Sequence, residues 1–145
     1  MKLLTRNTDY AIRAICRMAE DRKSVFSAAD LVKELNIPRP FMRKLLQELN
    51  KHGLLKSYRG RGGGFKLAIP PEQIYVFRIA EIFQGKLAIS EHIFKGEPCP
   101  RQRKCNLKAK LDEIEKMVAD RFKAITIASI MNSKLTSHTE RCPSG

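Results

Sequence analysis

Between Asn36 and Leu67 the chain reads NIPRPFMRKLLQELNKHGLLKSYRGRGGGFKL, and the punctuation of this stretch leaves few folds open. Phe41, Leu45, Leu46 and Leu49 recur at the spacing of one helical face, while Arg39, Arg43, Lys44, Glu48 and Lys51 fall elsewhere around the helix. Pro38 and Pro40 stand in the first turn, where an amide has no intrahelical partner, and Gly53 offers the left-handed residue that ends a helix. Beyond it, Leu54 to Arg59 and Phe65 to Ile69 are short strand-like runs separated by Gly60, Arg61, Gly62, Gly63 and Gly64, so the chain reverses sharply with a cation at the tip. For the helix alone, a core helix with a solvated charged face is an equal explanation. The hairpin tips the balance towards a reading helix followed by a wing. A nucleotide-binding loop is the wrong account of the glycines, which lead into a strand-like run and lack both a terminal Lys-Ser/Thr pair and a G-x-G-x-x-G spacing.

The flanking sequence supplies the rest of such a unit. Thr5 to Asp21 predicts a helix capped by Thr5, with Ala11, Ala14, Ile15 and Met18 on one face. Ser27 and Asp30 form a capping-box pattern at the head of a second helix, whose stripe is Ala28, Leu31, Val32 and Leu35. Only a few residues separate it from the third, the spacing of a helix-turn-helix whose second member enters the major groove. Pro70 and Pro71 close the unit. Ile74 to Phe83 predicts a fourth helix with Val76, Ile79, Ala80 and Phe83 inward and Gly85 as its stop. Lys86 to Lys104 has no clear period and reads as an ordered loop. From Asn106 a long helix follows, with Leu107, Leu111, Ile114, Val118, Phe122 and Ile125 in one stripe, then a short helix over Thr126 to Asn132. The long stripe either packs on its own domain or pairs with a second copy, and the two-fold symmetry of dimeric readers favours Leu111, Ile114, Val118 and Phe122 as a subunit interface. The expected fold is mainly α with a small β-hairpin wing: a winged helix-turn-helix over 1–71, a sensor loop and dimerisation helix over 72–132, and a disordered polar tail over 133–145.

The net charge is +13 over 145 residues, and residues 1–70 hold 15 Lys and Arg against 6 Asp and Glu. A basic half that also holds the helix and hairpin points to a polyanion, since phosphate neutralisation with counterion release drives most nucleic-acid affinity. Four cysteines, no leading apolar segment and no apolar run near the length of a membrane span fit a reducing cytoplasm. Arg39 and Arg43 stand in the first turns of the third helix, where side chains reach base edges, which favours double-stranded DNA over a module for RNA or a protein partner. No nucleophile, base and orienting group come together in a pattern, and no zinc spacing appears, so an enzyme is not expected.

The chain resembles the winged-helix repressors of the iron-sulfur-cluster regulator (IscR) and nitric-oxide-sensing repressor (NsrR) type across nearly all of residues 1–132. The resemblance rests on Leu4, Thr8, Asp9, Tyr10, Ala11 and Arg13, on Gly53-Leu54, on Ser57-x-Arg59-Gly60-x-x-Gly63-Gly64-x-x-Leu67, and on Cys99-x5-Cys105 before a long helix. It implies a homodimeric bacterial transcription factor, a repressor by type, on a palindromic operator. The DNA contacts it implies, at the start of the third helix and on the wing, carry over to Arg39, Arg43, Arg59 and Arg61; Pro38 and Pro40, which replace the family's small polar residues, and Lys44 are further candidates at that helix start. It further implies an iron-sulfur cluster for which Cys99 and Cys105 match the last two of three cysteines. Ile93 or Phe94 occupies the place of the first, with His92 beside it, and Lys108 replaces a histidine used by one branch. The nitric-oxide-sensing branch suggests Asp9 as a ligand reaching across the dimer, and His92 is the remaining candidate. Loop cysteines that pack or form a reversible disulfide, and an Asp9 that only favours its helix N-terminus, are the alternatives.

Overall fold

The computed structural model describes residues 3–86 and 106–133. Thr5 caps α1 (Arg6–Glu20), and Ser27 and Asp30 close a complete capping box on α2 (Ala28–Leu35), each accepting the other's backbone amide at 3.1 Å. Asn36, in the left-handed region at φ 52°, ends α2. Pro38 then serves as the N-cap of α3 (Arg39–Lys51), with Pro40 in its first turn. His52 and Gly53 (φ 76°) terminate α3, and Arg78 donates to the His52 carbonyl at 3.3 Å, placing a cation at the negative end of that helix.

One packing assignment changes. Met42, not Phe41, joins Leu45, Leu46 and Leu49 on the inward face of α3; Met42 is fully buried and Phe41 is 45% exposed. Residues 41 and 42 both satisfy the spacing to 45, 46 and 49, and the direction from which α1 approaches decides between them.

Strands β1 (Leu55–Tyr58) and β2 (Gly64–Leu67) form an antiparallel hairpin in the register Leu55 with Leu67 and Tyr58 with Gly64. A third rung lies outside the expected hairpin: Phe26, just before α2, exchanges both backbone hydrogen bonds with Phe65 at 2.9 and 2.8 Å. The wing is thereby sewn to the start of the helix-turn-helix. Gly64 makes the close approach possible, because a Cβ there would lie 2.7 Å from the Phe26 carbonyl carbon and closer still to its oxygen.

A single-turn 3-10 segment (Pro71–Gln73) leads into α4 (Val76–Gln84). The long α5 (Asn106–Lys123) leans on α4, and the short α6 (Ile127–Asn132), with its own Thr126–Ser129 capping box, returns to α1. Around this return Val76 donates to Ile125 and Ile127 donates to Ile74, both at 2.9 Å. Ile127 is fully buried in the same core as Ile15, Met42, Leu46 and Ile79. Burial of a side chain of this size contributes roughly 1.5–3 kcal/mol, so the last helix helps to close the hydrophobic core begun by the first three.

No residue of α5 is fully buried. Its Asp112, Glu115, Lys116 and Ala119 line a groove with Phe77 and Glu81 of α4. At about 100° per residue this turns the stripe of Leu107, Leu111, Ile114 and Val118 roughly a third of a circle away from α4. Accordingly Leu107, Ile114 and Met117 are 67%, 48% and 60% exposed.

Candidate nucleic-acid interface

The helix-turn-helix exposes one side of α3. Met42, Leu46 and Leu49 anchor its inner face, so Pro40, Arg43 and Lys44 stand outward and exposed, as do Arg39 and Pro38 at its start. The same outward row continues through Gln47 and Lys51. Gln47 was not among the expected contacts, although its place three and four residues beyond Lys44 and Arg43 is a periodic signal that could have found it. Its amide presents a donor and an acceptor together, the pair suited to an adenine edge.

On the wing, Gly60 (φ 95°) and Gly62 (φ 72°) flank Arg61 in a tight turn closed by the Gly63 amide donating to the Gly60 carbonyl at 3.0 Å. Arg59 and Arg61 are both exposed. Beside them the Lys56 ammonium lies 5.7 Å from the centre of the Tyr58 ring, which is 42% exposed. Among the described residues none of Arg39, Arg43, Lys44, Arg59 and Arg61 takes part in an ion pair. Charge is neutralised elsewhere: Arg17 pairs with Glu34 and Glu20 and covers the Phe26 ring at 5.0 Å, holding α1 to α2 and to the base of the wing.

The residues expected around a metal are less fully placed. His92, Cys99 and Cys105 lie outside the described residues, as does Cys142. Asp9 occupies the first turn of α1, where its carboxylate pairs with Arg13 at 2.9 Å on the surface. Among the described residues no group of three or more His, Cys, Asp or Glu is gathered to hold a metal ion, and no helix is long and apolar enough to cross a membrane. Of the interface residues, Ile114 is exposed and Leu111, Val118 and Phe122 are half-buried.

A helix-turn-helix with a hairpin wing and an unneutralised cationic row defines the winged-helix class of DNA-binding regulators. Within that class the chain belongs to the Rrf2 family, iron-dependent transcriptional regulators, which it matches over residues 4–133. An HTH-type transcriptional regulator, NsrR, of Halalkalibacterium halodurans is 33% identical over 113 residues, covering 76% of this chain and 77% of that protein. A protein of Aquifex aeolicus described as an HTH-type regulator is 30% identical over 125 residues, 85% of this chain and 87% of its own length. The fold is similar to that of CymR, the global cysteine regulator of B. subtilis, with a TM-score of 0.72 at 21% identity over 90% of this chain and 97% of that one. The protein is a transcriptional regulator and not an enzyme.

Proposed function

We propose that this protein is a homodimeric, sequence-specific repressor of the bacterial cytoplasm that reads a palindromic operator with α3 and the wing. The observation that carries the reading is the row of unpaired cations and polar groups on the solvent face of α3, continued by the arginines of the wing. Arg39, Arg43 and Lys44 have donors suited to guanine edges and phosphates, with Pro38 and Pro40 fixing the entry of the helix. Arg59 and Arg61 follow the minor groove, where the glycines let the backbone approach. Residues 1–71 contact DNA in this reading and residues 72–132 serve sensing and pairing, although the buried Ile74, Ile79 and Ile127 supply part of the core of the DNA-binding unit. The stripe of α5, with Ile114 exposed and Leu111, Val118 and Phe122 half-buried, supports pairing of these four residues with a second copy. Selection from a randomised duplex pool by the full chain tests the reading: an enriched inverted repeat is expected, and enrichment of no sequence would refute it.

The signal sensed is redox state, iron-sulfur status or nitric oxide, through a cluster held by Cys99 and Cys105 and completed by His92 and Asp9. Thiolates are the usual cluster ligands, and the basic run Arg101 to Lys104 favours the ionised form of both. The Asp9 carboxylate fits the role, because a single surface ion pair with Arg13 holds it and such a pair contributes little. A cluster so placed would supply a group whose state responds to oxidants and to nitric oxide. Anaerobically prepared protein should be coloured and contain iron and acid-labile sulfide, both lost in Cys99→Ala or Cys105→Ala. Colourless, iron-free protein after anaerobic reconstitution would leave a regulator without a cofactor.

A further inference from the structure

Thr8 is the one buried polar residue among those described, and its hydroxyl is committed to a distant helix as well as to its own. It donates to Gln84 Oε1 at 3.0 Å and lies 2.9 Å from the Thr5 hydroxyl. The same Gln84 oxygen accepts the Thr5 backbone amide at 3.0 Å, and the Gln84 side-chain nitrogen donates to the Leu3 carbonyl at 2.9 Å. One amide from the last turn of α4 thus holds three points where the chain enters α1. The match is chemical as well as geometric: a glutamine offers an acceptor with two lone pairs and a donor on one rigid plane, and both lone pairs are used. A partly buried network of this kind is worth more than its separate bonds, because each polarises the next in a medium of low dielectric.

The N-terminal half of α1 also meets the start of α3. The Tyr10 ring meets the Phe41 ring edge-on, with centroids 6.5 Å apart and planes at 69°. Phe41 lies two residues before Arg43, α1 packs on α3, and the fully buried Ala11, Ala14 and Ile15 of α1 share one core cluster with Met42, Leu45, Leu46 and Leu49 of α3. A close-packed contact of this sort passes on a rotation of α1 and does not absorb it.

We propose that Gln84, acting through Thr5 and Thr8, is a positioning residue for DNA recognition: it fixes the N-terminus of α1 and with it the angle at which α3 presents Arg43 and Lys44. Gly85, at φ 74°, ends α4 directly after it, so Gln84 is the last helical residue before the chain leaves α4. The inference rests on the reading of α3 as the helix that contacts bases.

The test uses the full chain, the duplex enriched by selection, and a scrambled duplex of the same length and composition. The variants are Gln84→Leu, Thr8→Val, the two combined, Gln84→Glu and, as reference, Arg43→Ala, each first shown to melt cooperatively. Gln84→Leu and Thr8→Val should each lower the ratio of specific to scrambled affinity by on the order of tenfold. The double variant should lose no more than one of them, because both cut the same link. Gln84→Glu, which keeps the acceptor for Thr5 and Thr8, should retain most of the ratio. An unchanged ratio in both Gln84→Leu and Thr8→Val, while Arg43→Ala lowers it, overturns the proposal; so do losses of equal size on the two duplexes. If Arg43→Ala also leaves the ratio unchanged, the reading of α3 fails and takes the inference with it. Should Gln84→Leu fail to fold, the isosteric Thr8→Val decides.

Discussion

Arg43 owes its exposure to its neighbours. Met42 is drawn fully into the core, so the next residue along the helix is turned outward, and among the described residues it takes part in no ion pair. Arg43→Ala is expected to cost about 1–3 kcal/mol on the specific duplex and far less on a scrambled one, as removal of a bidentate base contact does. Binding titrations on both duplexes check this, and equal losses would mean that Arg43 holds phosphate only and would remove the reading of α3 as the helix that contacts bases. Asp30 acts at the same scale on the preceding helix. Its carboxyl is held below the ordinary 3.8 by the Ser27 hydroxyl first and then by the Ser27 amide. The folded state therefore favours the ionised form, and this contribution is complete above the ordinary value and fades as pH falls through the lower folded one. In Asp30→Asn the deficit in stability relative to the native chain should be largest at neutral pH and narrow below 3.8. Urea unfolding at neutral and acid pH measures it; a deficit that stays constant into acid would show that the charge on the cap is irrelevant.

The wing is the element in which local pattern and long-range contact meet. Alternating runs and a glycine tip are enough to make a hairpin, but an isolated two-stranded hairpin is marginal in water. The rung between Phe26 and Phe65 gives β2 a second neighbour, and Arg17 lying over the Phe26 ring ties that rung to α1. Gly64→Ala should therefore detach the base of the wing while leaving the tip turn intact. The added methyl cannot coexist with the Phe26 carbonyl, and loss of the two hydrogen bonds with the attendant strain is expected to cost about 2 kcal/mol or more. Chemical denaturation reads the stability, and weaker binding to DNA should accompany it. A variant as stable as the native chain would show that the wing needs no seat.

At the scale of the whole molecule the unsettled surface is α5. It lays a polar side along α4, secured by the Lys123 ammonium 5.3 Å above the Phe77 ring, and leaves apolar side chains in solvent. A long helix with an exposed apolar stripe and charged flanks is poorly satisfied in a monomer. The native chain is expected to sediment as a dimer at micromolar concentration, and Ile114→Asp with Val118→Asp to yield folded monomers that bind DNA weakly. A monomeric native protein would sink the interface. Because Ile127 is buried with the N-terminal helices, such monomers should still melt in one cooperative transition.

What local pattern determines, this sequence states plainly. Thr5, Ser27 with Asp30, and Gly53 mark helix ends because capping is decided within a few residues, and Gly60 to Gly64 mark the hairpin because few other residues take those backbone angles. The cationic row of α3 was legible for the same reason, being set by helical period. Periodicity cannot say from which side a neighbour arrives, and so Phe41 was assigned to the core in place of Met42 and Gln47 was passed over. Nor can it reveal contacts between distant segments. The bond between Thr8 and Gln84 spans 76 residues, the Phe26–Phe65 rung joins the segment before α2 to a strand, and Ile127 crosses the chain to reach α1. Each of these depends on which surfaces bury together, a choice made by the packing of the whole core and written in no single stretch of residues.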